Sequence, residues 1–242
     1  MMRTMMEQHP ISTRIVLYVV IVLIACLFIP SGAMAHKPIF TERASGGYEQ
    51  AFPIPDATTS YAMYGALTSP RQVDVYKVTV TEETPFYARI SVPKKPGAAA
   101  FTPAFVLFGP GLPKSNEPPN YPLTTPEGLG KAIFLYEGEQ DEFFEPFTQT
   151  TLLQRQYVSR KLEPGTYYLA VYEPNQRLGK YVLATGTEEK FGFRDWLNFP
   201  ATWLHVRMWY DAGQTWGVLA LLAAAAAGLV YYLRTRKKST RT

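Results

Sequence analysis

The stretch LEPGTYYLAVYEPNQRLGKYVLATG, residues 162–186, decides the fold. Residues 166–172 and 180–185 are dense in aromatic and β-branched side chains, the composition of strands. Between them EPNQRLG supplies Pro, Asn and Gly, which punctuate turns. This spacing predicts two consecutive strands, and the pattern repeats upstream. Residues 86–92, FYARISV, alternate cleanly, with Phe86, Ala88, Ile90 and Val92 on one face. Val73–Val80 reads as another strand, and residues 104–108 and 132–136 as short apolar strands buried on both sides. About eight strands and no amphipathic helix before residue 190 predict an all-β ectodomain, a β-sandwich or jelly roll.

Two segments carry a family resemblance. GALTSPRQVDVYKVTV (65–80) combines a Gly-x-Leu strand, a turn and an Asp-x-Tyr strand, and 162–186 has Pro-Gly-Thr-Tyr entering one strand and Gly-x-Tyr entering the next. Together they resemble the opening and the closing hairpin of bacterial pre-peptidase C-terminal (PPC-like) domains. The resemblance implies a β-sandwich accessory domain, a binding or folding module rather than an enzyme. Residues 95–150 depart from the pattern and read as an insertion. Within the motif, Asp74 lies in a strand, where an acid suits a structural hydrogen-bonding role better than ligand binding.

The flanks read as membrane-related. An apolar run at 15–25 follows Arg14, and Ala33 and Ala35 occupy the −3 and −1 positions of a cut before His36. That is the layout of a secretory signal over residues 1–35. The alternatives are an uncleaved N-terminal anchor and lipidation at Cys26 in LIAC, the latter disfavoured by the apolar LFIPSG that follows. Cys26 is the single cysteine, so a chain cut after Ala35 holds no disulfide. Residues 216–233 are 18 uncharged residues, enough to span a bilayer, and Arg234, Arg236, Lys237, Lys238 and Arg241 follow. The positive-inside rule puts that basic tail (234–242) in the cytoplasm and the N-terminal bulk outside, a single-pass envelope protein at the cell membrane.

All four tryptophans, Trp196, Trp203, Trp209 and Trp216, gather just before or at this span. The chain thus divides into a signal (1–35), the ectodomain (36–190), a Trp-rich juxtamembrane helix (191–214), a transmembrane helix (215–233) and the tail. Read as a helix from Pro200, residues Trp203, Val206 and Tyr210 share one side, with His205 and Arg207 off it, and the segment is expected to lie in the membrane interface.

Residues 36–215 hold 17 Lys+Arg against 19 Asp+Glu, so the basic excess sits outside the exported part and nucleic acid is excluded as a partner. No Gly-x-Ser-x-Gly elbow, no phosphate-loop spacing and no cysteine nucleophile in the mature form argue against the common enzyme classes, and a glycosidase, which needs only two carboxylates, stays open. The candidate contact surface is the acidic and aromatic stretch EGEQDEFFEPF: Glu137, Glu139, Asp141, Glu142, Phe143, Phe144, Glu145 and Phe147. It suits a protein or glycan partner at the cell surface. Its oxygens could hold Ca²⁺, though the order of a calcium loop is missing. A competing reading uses His36: at a free N-terminus its amine and ring could chelate copper, with His205 as the remaining histidine of the exported part.

Overall fold

The computed structural model describes residues 36–41, 46–138, 141–146 and 148–239. The proposed signal segment with Cys26 lies outside them, as do Glu139 and Phe147. Among the described residues eleven strands are divided between two sheets. The six-stranded sheet runs, in spatial order, β1 (Lys37–Phe40), β3 (Tyr61–Leu67), β11 (Gly179–Thr185), β5 (Thr84–Pro93), β9 (Thr150–Leu162) and β8 (Asp141–Glu145). The five-stranded sheet runs β2 (Phe52–Pro53), β4 (Val73–Val80), β10 (Gly165–Tyr172), β6 (Ala104–Gly109) and β7 (Gly130–Phe134). The pairs are antiparallel except β1 with β3 and β2 with β4. This is the expected β-sandwich, and the face 86, 88, 90, 92 of β5 is fully buried between the sheets.

Three expectations need correction. The segment 162–186 is not a hairpin, because β10 pairs with β4 and β6 whereas β11 pairs with β3 and β5. Its linker crosses from one sheet to the other around buried Glu173, whose carboxylate accepts the Arg177 N–H at 2.7 Å and the Thr102 hydroxyl at 3.1 Å. Strand composition and a turn signal specify neighbours in sequence, not which sheet each joins. Nor is 95–150 a peripheral insertion. It supplies β6, buried at all six positions between β10 and β7. Finally, the helix starts not at Pro200 but at Phe193, and α1 (Phe193–Ser239) carries Pro200 inside it.

The residues behind the family resemblance meet in the sandwich interior. The Tyr181 hydroxyl donates to Asp74 Oδ2 at 2.6 Å and pairs with Tyr76 Oη at 2.7 Å, and Tyr76 reaches Thr41 Oγ1 at 3.0 Å. Gln72 Nε2 donates to the other oxygen of Asp74 at 2.8 Å. A Cβ on Gly65 would stand 2.5 Å from the Tyr181 ring, so glycine there clears space for the phenol. Burial raises the Asp74 pKa, with its two hydrogen bonds opposing. Asp74 is therefore a structural acceptor, as its place in a strand suggested.

Helix α1 breaks at Asp211, whose φ of −155° and ψ of 93° are extended rather than helical. Residues up to Tyr210 belong with the sandwich, and those from Asp211 onward form a separate unit. The later limb opens with Asp211 Oδ1 accepting the Gln214 N–H at 2.9 Å, a side-chain N-cap. It contains the stretch long and apolar enough to cross a membrane. The earlier limb packs on the outer face of the six-stranded sheet. Val206 is fully buried against Ala62, Tyr64, Leu152 and Val182, a burial that stabilises by about 1.5–3 kcal/mol. The Trp209 ring meets Tyr64 edge-on at 4.9 Å, and Tyr210 Oη donates to the Thr151 carbonyl at 2.9 Å.

Candidate functional site

Beside the helix, the outer face of the six-stranded sheet is left open as a groove of about 250 Å³. Its floor is apolar, made by Ala62, Tyr64, Leu152, Val182 and Ala184. These outward positions of β3, β9 and β11 alternate with inward core residues such as Met63, Leu153 and Leu183. Around the floor stand His36, Tyr87, Arg89, Gln154, Glu145 and Thr148. Apolar floor and few convergent polar groups are the usual makeup of a ligand site.

The groove owes its polar wall to a β-bulge. Arg89 of β5 pairs with Tyr157, but Ser91 pairs with Gln154, so Arg155 and Gln156 together oppose one residue. The extra residue shifts the alternation of β9. Leu153 turns into the core, and Gln154 and Tyr157 both stand on the outer face, flanking Arg89. Arg89 Nη1 donates to Gln154 Oε1 at 2.7 Å, its Nε donates to Tyr87 Oη at 2.7 Å, and the guanidinium lies 4.8 Å from the Tyr157 ring centroid. An arginine held at two N–H groups and one face presents its remaining donors in a fixed direction. No sequence pattern pointed to Arg89, Tyr157 or Gln154; a bulge is a register event, silent in local composition.

At the other end of the wall, β8 brings in part of the acidic and aromatic stretch. Its residues Asp141–Glu145 form an edge strand, not a loop, paired with β9. Phe143 and Glu145 share its outward face and line the groove. The Glu145 carboxylate is buried and accepts the Thr148 N–H at 2.6 Å and the Thr148 hydroxyl. Burial, and secondarily this carboxylate, push the Tyr64 phenol well above its ordinary range, so Tyr64 stays a neutral part of the floor. The other candidates of the stretch go elsewhere. Glu142 pairs with Lys94 at 2.6 Å, Phe144 is 57% exposed, and Glu137 and Asp141 are exposed outside the groove.

His36 also lines the groove, beside the candidates it was set against. Its Nδ1 meets the Ser60 hydroxyl, and burial lowers its pKa, partly offset by Glu189. Ser60 is buried, and its hydroxyl is not among the groups that line the groove. His205 lies beyond the far end of β1, its ring stacked on Phe40 at 3.7 Å. Four residues of extended chain from His36 to Phe40 span about 13 Å, far more than two ligands of one metal allow. Among the described residues no three of His, Cys, Asp and Glu gather as a metal site.

No family model and no curated protein matches the chain. Among solved structures, the pre-peptidase C-terminal domain of a collagenase from Bacillus anthracis is similar over 64% of this chain and 99% of its own, at 15% identity and a TM-score of 0.31. A likeness at that score carries no argument of its own. Among the described residues the two sheets make a β-sandwich, followed by one helix long and apolar enough to cross a membrane.

Proposed function

We propose that this chain is a non-catalytic binding module of the cell envelope, exported and held by its C-terminal helix with the basic tail in the cytoplasm. Its ligand site is the groove on the outer face of the six-stranded sheet, and its ligand is a protein segment or glycan chain of the cell surface. The observation that carries this reading is the fixed polar wall over an apolar floor: Arg89 held by Tyr87, Gln154 and Tyr157, with Glu145 held by Thr148 farther along it. Groups already held in place lose little entropy when a ligand docks. Aromatic rings beside neutral donors and one guanidinium suit the faces and hydroxyls of sugars as well as an extended peptide. Binding rather than turnover is favoured because, among the described residues, the serine that meets a histidine is buried and stands outside the groove lining.

The test is a screen of the full-length protein in detergent against arrayed cell-surface oligosaccharides and peptides. The hit is then titrated against Arg89→Ala and, as a surface control, Lys77→Ala. Affinity lost at least tenfold in Arg89→Ala and kept in Lys77→Ala supports the groove, since a charge-assisted hydrogen bond contributes about 1.5–3 kcal/mol. Binding indifferent to Arg89, or no binding in either array, defeats the proposal.

A further inference from the structure

The helix limb from Phe193 to Tyr210 is apolar on two sides. One side, with Phe199, Val206, Trp209 and Tyr210, packs on the sandwich. On the other side Phe193 (77% exposed), Leu197 (64%) and Leu204 (37%) stand exposed with Pro200 and Ala201 between them, and Trp196 (49%) sits at the stripe's edge, half exposed, with its ring 6.3 Å from that of Phe199. Positions 193, 196, 197, 200, 201 and 204 follow the three- and four-residue spacing of a single helical stripe. An exposed apolar stripe on a helix marks a surface that is covered in its working state, and here the sandwich covers only the other side. The sequence names the other cover: the uncharged 18-residue stretch begins at Trp216, only twelve residues past Leu204. A Trp beside Phe and Leu, with Arg194 exposed at the stripe's edge, is the composition of a helix lying in a membrane interface.

We propose that the stripe Phe193–Trp196–Leu197–Leu204 is a lipid contact that lays this limb flat in the outer interface of the bilayer. The inference rests on the membrane-anchored reading above. It also reverses the face: the side read from sequence as interfacial, with Val206 and Tyr210, is taken by the sandwich, and the opposite side meets lipid. The sandwich side of the same limb then faces away from the membrane and fixes how the module stands on it.

The experiment uses the full chain in phosphatidylcholine vesicles, in a Cys26→Ser background, with a nitroxide attached at Leu197→Cys or Leu204→Cys. Leu222→Cys in the apolar stretch and Lys77→Cys on the five-stranded sheet are the references. Collision with oxygen, which concentrates in lipid, is compared with collision with a water-soluble nickel chelate. The expected result is oxygen-dominated relaxation at 197, 204 and 222 and nickel-dominated relaxation at 77. Nickel dominance at 197 and 204, with 222 still in lipid, overturns the stripe and leaves the anchor standing. Nickel dominance at 222 as well overturns both. Exclusion of both reagents with spin–spin broadening between labels overturns the lipid contact in favour of a second copy.

Discussion

The two outer faces of this sandwich are built alike and finished differently. On the five-stranded sheet, Val73, Val75, Val106, Phe108 and Tyr172 form an apolar surface that the chain's own loops close. Tyr48 and Tyr121 clamp that cover with a 2.7 Å hydroxyl–hydroxyl bond, and Tyr172 Oη donates to the Pro119 carbonyl at 3.1 Å. The desolvated Tyr48 phenol is pushed up to about 12. On the six-stranded sheet, Tyr64, Leu152 and Val182 make an equivalent surface, but one helix limb covers only part of it. The uncovered part is the groove. A chain that can seal one such face with loops and leaves the other partly open has placed its polar side chains, Arg89, Gln154 and His36, around the open one. The lesson is that a β-sandwich face stays open as a groove where its own covering stops.

That contrast can be broken at several points. Phe108 is fully buried under the closed cover, with its ring 5.8 Å from Tyr48 and 5.7 Å from Tyr121. Phe108→Ala is expected to cost about 3–5 kcal/mol in denaturant unfolding and to leave ligand affinity per folded molecule unchanged. Its counterpart on the open face is half-buried Phe143. Phe143→Ala is expected to cost only about 1 kcal/mol but to weaken capture of the groove's ligand. Equal stability losses in the two variants would mean that the groove is closed in solution.

The smallest effect concerns pH. Burial holds the His36 pKa below its ordinary 6.5, so the unfolded chain binds this proton more readily than the folded one. Stability from His36 is therefore complete above that ordinary value and is lost as pH falls through the lowered folded pKa. Between about pH 7 and pH 5, the parent protein should lose stability that His36→Gln retains, and Phe108→Ala should follow the parent's slope. Identical slopes for His36→Gln and the parent would show that the ring is solvated, with the groove open to water at that end.

Much of this architecture could be read along the chain. The inward face 86–92 of β5, the runs that become β4, β6 and β10, and the structural role of Asp74 all follow from alternation and local polarity. Strands β1, β2, β8 and β9 are not legible in the sequence: β1, β2 and β8 are short or charged, β9 carries a bulge that breaks its alternation, and pairing with β3, β4, β9 and β5 respectively makes them strands. Of the acidic and aromatic stretch, Phe143 and Glu145 reach the groove, because a strand sends alternate side chains to opposite faces. A loop reading could not have separated them from Glu142 and Phe144.

The sequence by itself determined that residues 36–190 are built of strands rather than helices and that an uncharged stretch near the C-terminus is long enough for a bilayer, since hydrophobic period and run length are local quantities. Tertiary structure alone decided that β10 and β11 join different sheets, that a bulge in β9 turns Gln154 and Tyr157 to one face, and that Val206 and Tyr210 belong to the sandwich. Each of these depends on which distant strand offers its edge and in what register. A one-residue shift there moves every later side chain to the other face, with no mark in the local composition.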